Sequence, residues 1–228
     1  MSAQTSKFNL TETYHLEESM KAKKVKAIVE RATYPSPSCQ TAVNALLPSL
    51  SATNMNSYLS RLTAFNNHYY QRAHGLRRAT IYNTLSGFAS GKSGMTVTKF
   101  SHSWTQQSII AKIAGSSTTT PSVILGAHEG SISLSDPTLG YAPGADDGGT
   151  GTPTRNVEFH FYSGKETSLF GSQAIAANYK SSGRSVYAML NLDMAGYFKP
   201  GTTEAISLIT DNPDSGPNTF VRSLVSSY

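Results

Sequence analysis

A single cysteine, Cys39, among 228 residues excludes an internal disulfide. Long apolar runs are also missing. The longest, such as Ser122 to Leu125 and Val157 to Tyr162, fall far short of the roughly 18 residues that cross a bilayer as a helix. The opening stretch, Met1 to Leu16, is polar and charged and lacks the basic start, apolar core and small-residue cleavage site of a secretory leader. If the protein is exported, its leader is absent from this sequence. Acidic residues are outnumbered, 14 against 19 Lys and Arg, for a net charge of +5. The cations are scattered, with short clusters only at Lys21 to Lys26 and Arg72 to Arg78. Neither carries base-stacking aromatics or zinc-finger spacing, so both read as solvated helix faces and nucleic acid is not an expected partner.

The composition is that of a globular chain, 38% hydrophobic and 10% aromatic, large enough for one substantial core. Residues 1–40 hold Pro35, Pro37 and little periodicity and read as an arm or propeptide-like lead, with residues 41–228 as the main domain. From Ala42, Val43, Leu46 and Leu47 fall on one helical face. Pro48 interrupts, and Ser51 or Thr53 can cap a second helix bearing Met55, Tyr58, Leu59, Leu62 and Phe65. Ala79 to Ala89 repeats the spacing until Gly91 and Gly94 break it. Strands are expected at Met95 to Phe100, Ser108 to Ala114, Ser122 to Ala127, Val157 to Tyr162 and Ser185 to Leu192, with a helix at Ser168 to Asn178. This order predicts an α/β fold, a mixed and mostly parallel sheet sandwiched by helices, with ligands at the carboxyl ends of the strands.

Three of these strands are followed directly by His128, Glu166 and Asp193. The glycine-rich stretch from His128 to Thr154 adds Asp146 and Asp147. Imidazole and carboxylates brought to one sheet edge are zinc-binding chemistry, and a hydrolytic zinc keeps one position open for water. A lone histidine at a strand end is more often a hydrogen-bonded surface or core residue; several groups at strand ends outweigh that reading.

At these residues the chain resembles the zinc aminopeptidases of peptidase family M28, and especially the secreted fungal leucine aminopeptidases. The likeness runs from about Tyr14 to Thr210, through Leu46-Leu-Pro48, Leu62-Thr-Ala-Phe65, Tyr69-Tyr70, Val97-Thr-Lys-Phe100, His102-Ser-Trp104, Ala142-Pro-Gly-Ala-Asp-Asp147, Tyr162-Ser163 and Gly171-Ser-Gln-Ala-Ile175. It implies a zinc-exopeptidase-like fold, peptide substrates, an extracellular setting and two zincs. By position, His128 is a ligand of one zinc, Asp147 bridges both, Glu166 is a ligand of one and Asp193 of the other.

Departures from the family pattern bear on function. Lys165 stands where the family has the glutamate that takes a proton from the metal-bound water, and an ammonium is repelled by zinc and accepts no proton unless already neutral. A lysine neutralised by nearby cations would be the exception. Gly130 replaces an aspartate that orients the ligand histidine, a loss worth about 10- to 100-fold in metal affinity. Gly148 replaces the acid or amide after the bridging aspartate. Between Gly151 and Val157 the family has a whole crossover helix, and its last histidine ligand lies beyond Tyr228. One zinc or none is therefore expected. The alternatives are an inactive peptide- or metal-binding relative, or an incomplete gene product. The remaining histidines read as structural or exposed: His15, His68 and His74 lie in unrelated segments, His102 packs near Trp104, and His160 is a satisfied core residue.

Overall fold

The computed structural model describes residues 34–65, 75–117, 120–130, 154–193, 201–203, 205, 207–210 and 214–227. The expected lead over residues 1–40 lies largely outside them.

Two of the helices begin earlier than their sequences predict, at Gln40 rather than Ala42 and at Gly75 rather than Ala79. Helix α1, Gln40–Leu46, runs into a 3-10 turn at Leu47–Ser49, where Pro48 occupies a first-turn position that needs no N–H. Helix α2, Ala52–Thr63, is capped by Ser51, whose hydroxyl accepts from the Asn54 N–H at 3.2 Å. Helix α3, Gly75–Ala89, is followed by Gly91 and Gly94 with φ of 73° and 83°, left-handed values that glycine adopts freely.

Among the described residues five strands follow: β1, Met95–Phe100; β2, Ser108–Ile113; β3, Ser122–His128; β4, Val157–Tyr162; and β5, Val186–Asn191. They form one sheet in the order β1-β2-β4-β3-β5. Its mixed character is as expected, with the directions evenly divided. β1 with β2 and β2 with β4 are antiparallel, whereas β4 with β3 and β3 with β5 are parallel. The parallel half carries the strand ends of interest.

Helix α4, Phe170–Ser181, covers one face of this sheet. Its Ile175 and Tyr179 join Ile110 of β2, Ile124 of β3 and Tyr162 of β4 in a buried cluster, with Phe100 packed against it. Residues one step along the strands, Ile109, Ala111, Ala127 and Phe159, are buried on the opposite face. The helix starts later than its apolar spacing predicts because Ser168 and Leu169 are left-handed, with φ of 75° and 60°. A fifth helix, α5, Ser215–Val225, was not expected. Its start is nonetheless marked in the sequence by Asp214, whose carboxylate accepts from the Gly216 N–H at 2.9 Å, and by Pro217 in the first turn.

Parallel β3 and β4 are adjacent and in register, from Val123 opposite Val157 to His128 opposite Tyr162. Their connection, 129–156, falls mostly outside the described residues, and so does the expected gap between Gly151 and Val157.

Candidate functional site

Because β3, β4 and β5 are parallel neighbours, their carboxyl ends open on one edge of the sheet. His128 is the last residue of β3. Asp193 lies two residues beyond β5, and Lys165 and Glu166 sit in a 3-10 turn, Lys165–Thr167, just past β4. The ladder is extended at this edge by the Glu129 N–H donating to the Tyr162 carbonyl at 2.9 Å and the Leu192 N–H to the Gly126 carbonyl at 2.7 Å. The three strand ends are thus tied at the level of the site.

Four expected residues come together here. His128 Nε2 is 3.2 Å from Asp193 Oδ1, Lys165 Nζ is 3.0 Å from Asp193 Oδ2, and the same ammonium is 3.5 Å from Glu166 Oε1. Asp146, Asp147 and Gly148 lie outside the described residues. Among the described residues no three His, Cys, Asp or Glu side chains converge as a metal-binding group.

The ring of His128 has an orienting partner after all. Its Nδ1 is 2.7 Å from the Gly130 carbonyl, and since a carbonyl only accepts, Nδ1 carries the hydrogen. Where the family resemblance leads one to expect an aspartate as the orienting group, the Gly130 carbonyl makes the contact that turns Nε2 toward Asp193.

Lys165 lies between two of these carboxylates. Burial disfavours its charged form, but the hydrogen bond to Asp193 and the charges of Glu166 and Asp193 outweigh that and raise its pKa above the ordinary lysine value. The two carboxylates thus favour the ammonium form. In return, Asp193, which burial alone would push up, is held below its ordinary value by the hydrogen bond and charge of Lys165 and by His128.

The donor set fits one divalent cation better than two. Two atoms bound at about 2.0 to 2.1 Å to one tetrahedral zinc stand roughly 3.3 Å apart, close to the 3.2 Å between His128 Nε2 and Asp193 Oδ1. The other oxygen of Asp193 and the nearer one of Glu166 already face an ammonium.

The turn bearing Lys165 and Glu166 is anchored by a polar knot that the sequence signals only through His102-Ser-Trp104. The Trp104 indole N–H donates to Ser163 Oγ at 2.8 Å, and the Ser163 hydroxyl is 3.1 Å from both the backbone and side-chain oxygens of Gln106. The Ser163 N–H donates to Ser108 Oγ at 3.1 Å. His102 stacks on Trp104, with centroids 4.1 Å apart and planes 4° apart, and its Nε2 is 2.7 Å from Ser108 Oγ. Burial lowers the His102 pKa to about 4, so the ring is neutral at pH 7. Trp104→Phe keeps the stacking surface but removes the indole donor. It is expected to cost about 1 kcal/mol, a fall of a few degrees in melting temperature; an unchanged melt would remove the knot's claim to anchor this turn.

His160 is the satisfied core histidine that the strand pattern suggests. It is buried, with Nε2 3.0 Å from Glu158 Oε2 and Nδ1 3.1 Å from the Tyr162 hydroxyl. What sequence reading missed is its partner, Glu158, fully buried on the same face of β4 and also bonded to Tyr179, Ser122 and Arg184. The available signal was a Glu and a His two apart in the otherwise apolar Val157 to Tyr162.

The family model described as Peptidase family M28 matches residues 108–218, the stretch that contains every strand end above. A probable leucine aminopeptidase of Arthroderma benhamiae is 40% identical over 226 residues, covering 89% of this chain and 59% of its own length. Leucine aminopeptidase 1 of Aspergillus fumigatus is also 40% identical, with 86% and 58% covered. The chain therefore spans less than two thirds of the length of these relatives. Among solved structures, LapB of Legionella pneumophila superposes with a TM-score of 0.75 at 19% identity, over 99% of this chain and 63% of that one. The LapA aminopeptidase of the same organism superposes with a TM-score of 0.62 at 20% identity, over 78% and 53%. At such identities the structures speak to the fold, and they agree on the mixed five-stranded sheet flanked by helices. Residues 108–218, which carry the site-bearing strands, thus match peptidase family M28, and most of the chain is similar to the fungal leucine aminopeptidases.

Proposed function

We propose that this chain is a zinc-dependent metalloaminopeptidase of the M28 type, acting on the N-terminal residues of extracellular peptides, with hydrolysis impaired by Lys165. The observation that carries the reading is the meeting of His128, Asp193, Glu166 and Lys165 at three parallel strand ends. His128 Nε2 and Asp193 Oδ1 are the atoms to hold zinc, with Asp147 as a further donor, while Glu166, a ligand in the family pattern, is paired with Lys165. Zinc, when bound, supplies positive charge that polarises the scissile carbonyl and makes water acidic near neutral pH. Gly130 keeps the His128 ring facing Asp193 through its carbonyl. Lys165, held as an ammonium by two carboxylates, cannot take the proton that hydrolysis releases.

The same ion pairs favour a second reading, a catalytically inactive relative that binds peptide or metal without cleaving. Hydrolysis of a leucine aminoarylamide by the wild-type chain and by Lys165→Glu separates the two. Weak wild-type turnover that rises about tenfold or more in the variant is expected for an impaired enzyme regaining a general base. Turnover in neither hands the chain to the second reading. A fast wild-type rate that the variant fails to improve would sink the assignment of impairment to Lys165.

A further inference from the structure

We propose that Lys165 is the resident cation of this site: its ammonium, bridging Glu166 and Asp193, takes the place of one of two metal ions and limits the chain to a single divalent cation. The inference rests on reading the strand ends as a metal-type site, but it concerns charge balance and does not require turnover.

Two carboxylates brought to one sheet edge need a counter-charge, and here the chain supplies it. Lys165 Nζ lies 3.0 Å from Asp193 Oδ2 and 3.5 Å from Glu166 Oε1. Its side chain is only 27% exposed and the carboxylates 30% and 39%, so the cluster is half-buried rather than fully solvated. The turn that aims Lys165 is itself constrained. Gly164, Ser168 and Leu169 on either side of it are all left-handed, and Ser163 before it is locked by Trp104, Gln106 and Ser108. A swing of Nζ away from both acids by backbone movement would have to undo that framework.

At the two carboxylate oxygens that face Lys165, a second dication cannot avoid this ammonium. With an oxygen-to-metal bond of about 2.1 Å, an ion on Asp193 Oδ2 or Glu166 Oε1 would stand no more than about 5 to 6 Å from Nζ, given the contacts above. At 5 Å, even in the dielectric of water, repulsion between a dication and an ammonium weakens binding by about 15-fold, and the half-buried setting strengthens it. Asp193 Oδ1 is the exception, since it faces His128 Nε2 and not the lysine. One oxygen of Asp193 is thus left for a metal while the other is held by the protein's own cation.

Zinc titration followed by calorimetry, with bound zinc measured by elemental analysis after desalting, tests this on the wild type, Lys165→Met and Lys165→Arg. The wild type and Lys165→Arg are expected to take one zinc at most and to melt at the same temperature with or without a second equivalent. Lys165→Met, which leaves Glu166 and Asp193 without their counter-charge, is expected to melt lower in chelator. It should take up an additional zinc at least about 15-fold more tightly than the wild type and regain its melting temperature with it. Should Lys165→Met fold only when zinc is present, that too supports the exchange of one cation for another. Two zincs on the wild type, or identical isotherms and melts for the wild type and Lys165→Met, would overturn the proposal. If the methionine variant were insoluble throughout, the wild-type stoichiometry would still decide it. Absence of peptidase activity in every sample would count against the proposed function and leave this result standing.

Discussion

Glu158→Ala is expected to lower the unfolding free energy by about 3 to 5 kcal/mol, the loss typical of breaking a buried ionic network by removing one partner. The carboxylate is fully buried and surrounded by donors: the Tyr179 hydroxyl at 2.5 Å, His160 Nε2 at 3.0 Å, the Ser122 hydroxyl at 3.2 Å and the Arg184 guanidinium. Arg184 also lies over the Tyr179 ring, 4.1 Å from its centroid. Alanine would strand the Tyr179, His160 and Ser122 groups between the sheet and α4, while Arg184, 40% exposed, could turn to water. Glu158→Gln keeps the shape and one acceptor oxygen and is expected to cost less, about 1.5 to 3 kcal/mol. Denaturant melts of the three proteins check this, and an alanine variant within 1 kcal/mol of the wild type would show that water enters the network.

The same residue sets an acid limb. Burial alone would raise the Glu158 pKa, but the hydrogen bonds from His160 and Tyr179 and the charge of Arg184 prevail and bring it from 4.5 down to about 2. A carboxylate depressed in the folded state stabilises the fold above its unfolded pKa and ceases to do so as pH falls through the folded one. The loss should accordingly run from about pH 4.5 to about pH 2, on the order of 3 kcal/mol in all. His102, neutral in the fold down to about pH 4, adds a decline that begins earlier, near the ordinary histidine pKa of about 6.5. In Glu158→Gln the lower part of the limb should flatten while the upper part stays.

Gly171→Ala is the second large effect. A Cβ at this position would lie 2.3 Å from the Ser163 carbonyl oxygen and 2.8 Å from the Ser163 nitrogen, with Ser108 Oγ at 3.0 Å. The two nearest are backbone atoms, and Ser108 is fully buried. The Gly171 N–H donates to that same carbonyl at 2.9 Å, so α4 would have to withdraw from the end of β4 and give up the contact. A cost of about 3 kcal/mol or more follows, a fall of roughly 6 to 12 °C in melting temperature for a domain of this size. Because the displaced Ser163 precedes the Lys165 turn, the lysine's ion pairs should weaken as well. A melt within 2 °C of the wild type would mean that the helix entrance yields without cost.

Much of this fold is written in local patterns. Alternation placed β1 and β4 at their observed limits, and Ser51 marked the start of α2, because a two-residue period and a capping hydroxyl act within a few residues. The helix after β4 was placed early because its apolar spacing extends back through Leu169, and nothing in that spacing reveals a left-handed backbone. The convergence of His128, Lys165, Glu166 and Asp193 was legible because strand ends in a parallel sheet share an edge. The orientation of His128 was not, since the substituting group is a backbone carbonyl that every residue type carries. Glu158 escaped notice for a related reason. Its partners Tyr179 and Arg184 are 21 and 26 residues away and meet it only once α4 folds back on the sheet.

The position of β4 governs the order in which this sheet can assemble. β1 and β2 are separated by residues 101–107 and can pair early, as neighbours along the chain. β4 must reach back across 114–156 to meet β2 and across 129–156 to meet β3, and it alone joins the antiparallel pair to the parallel one. Closing such long loops is slow because entropy is lost before contacts repay it. Until β4 docks, the Lys165 turn has no frame, so the charged site cannot take shape before that strand joins the sheet.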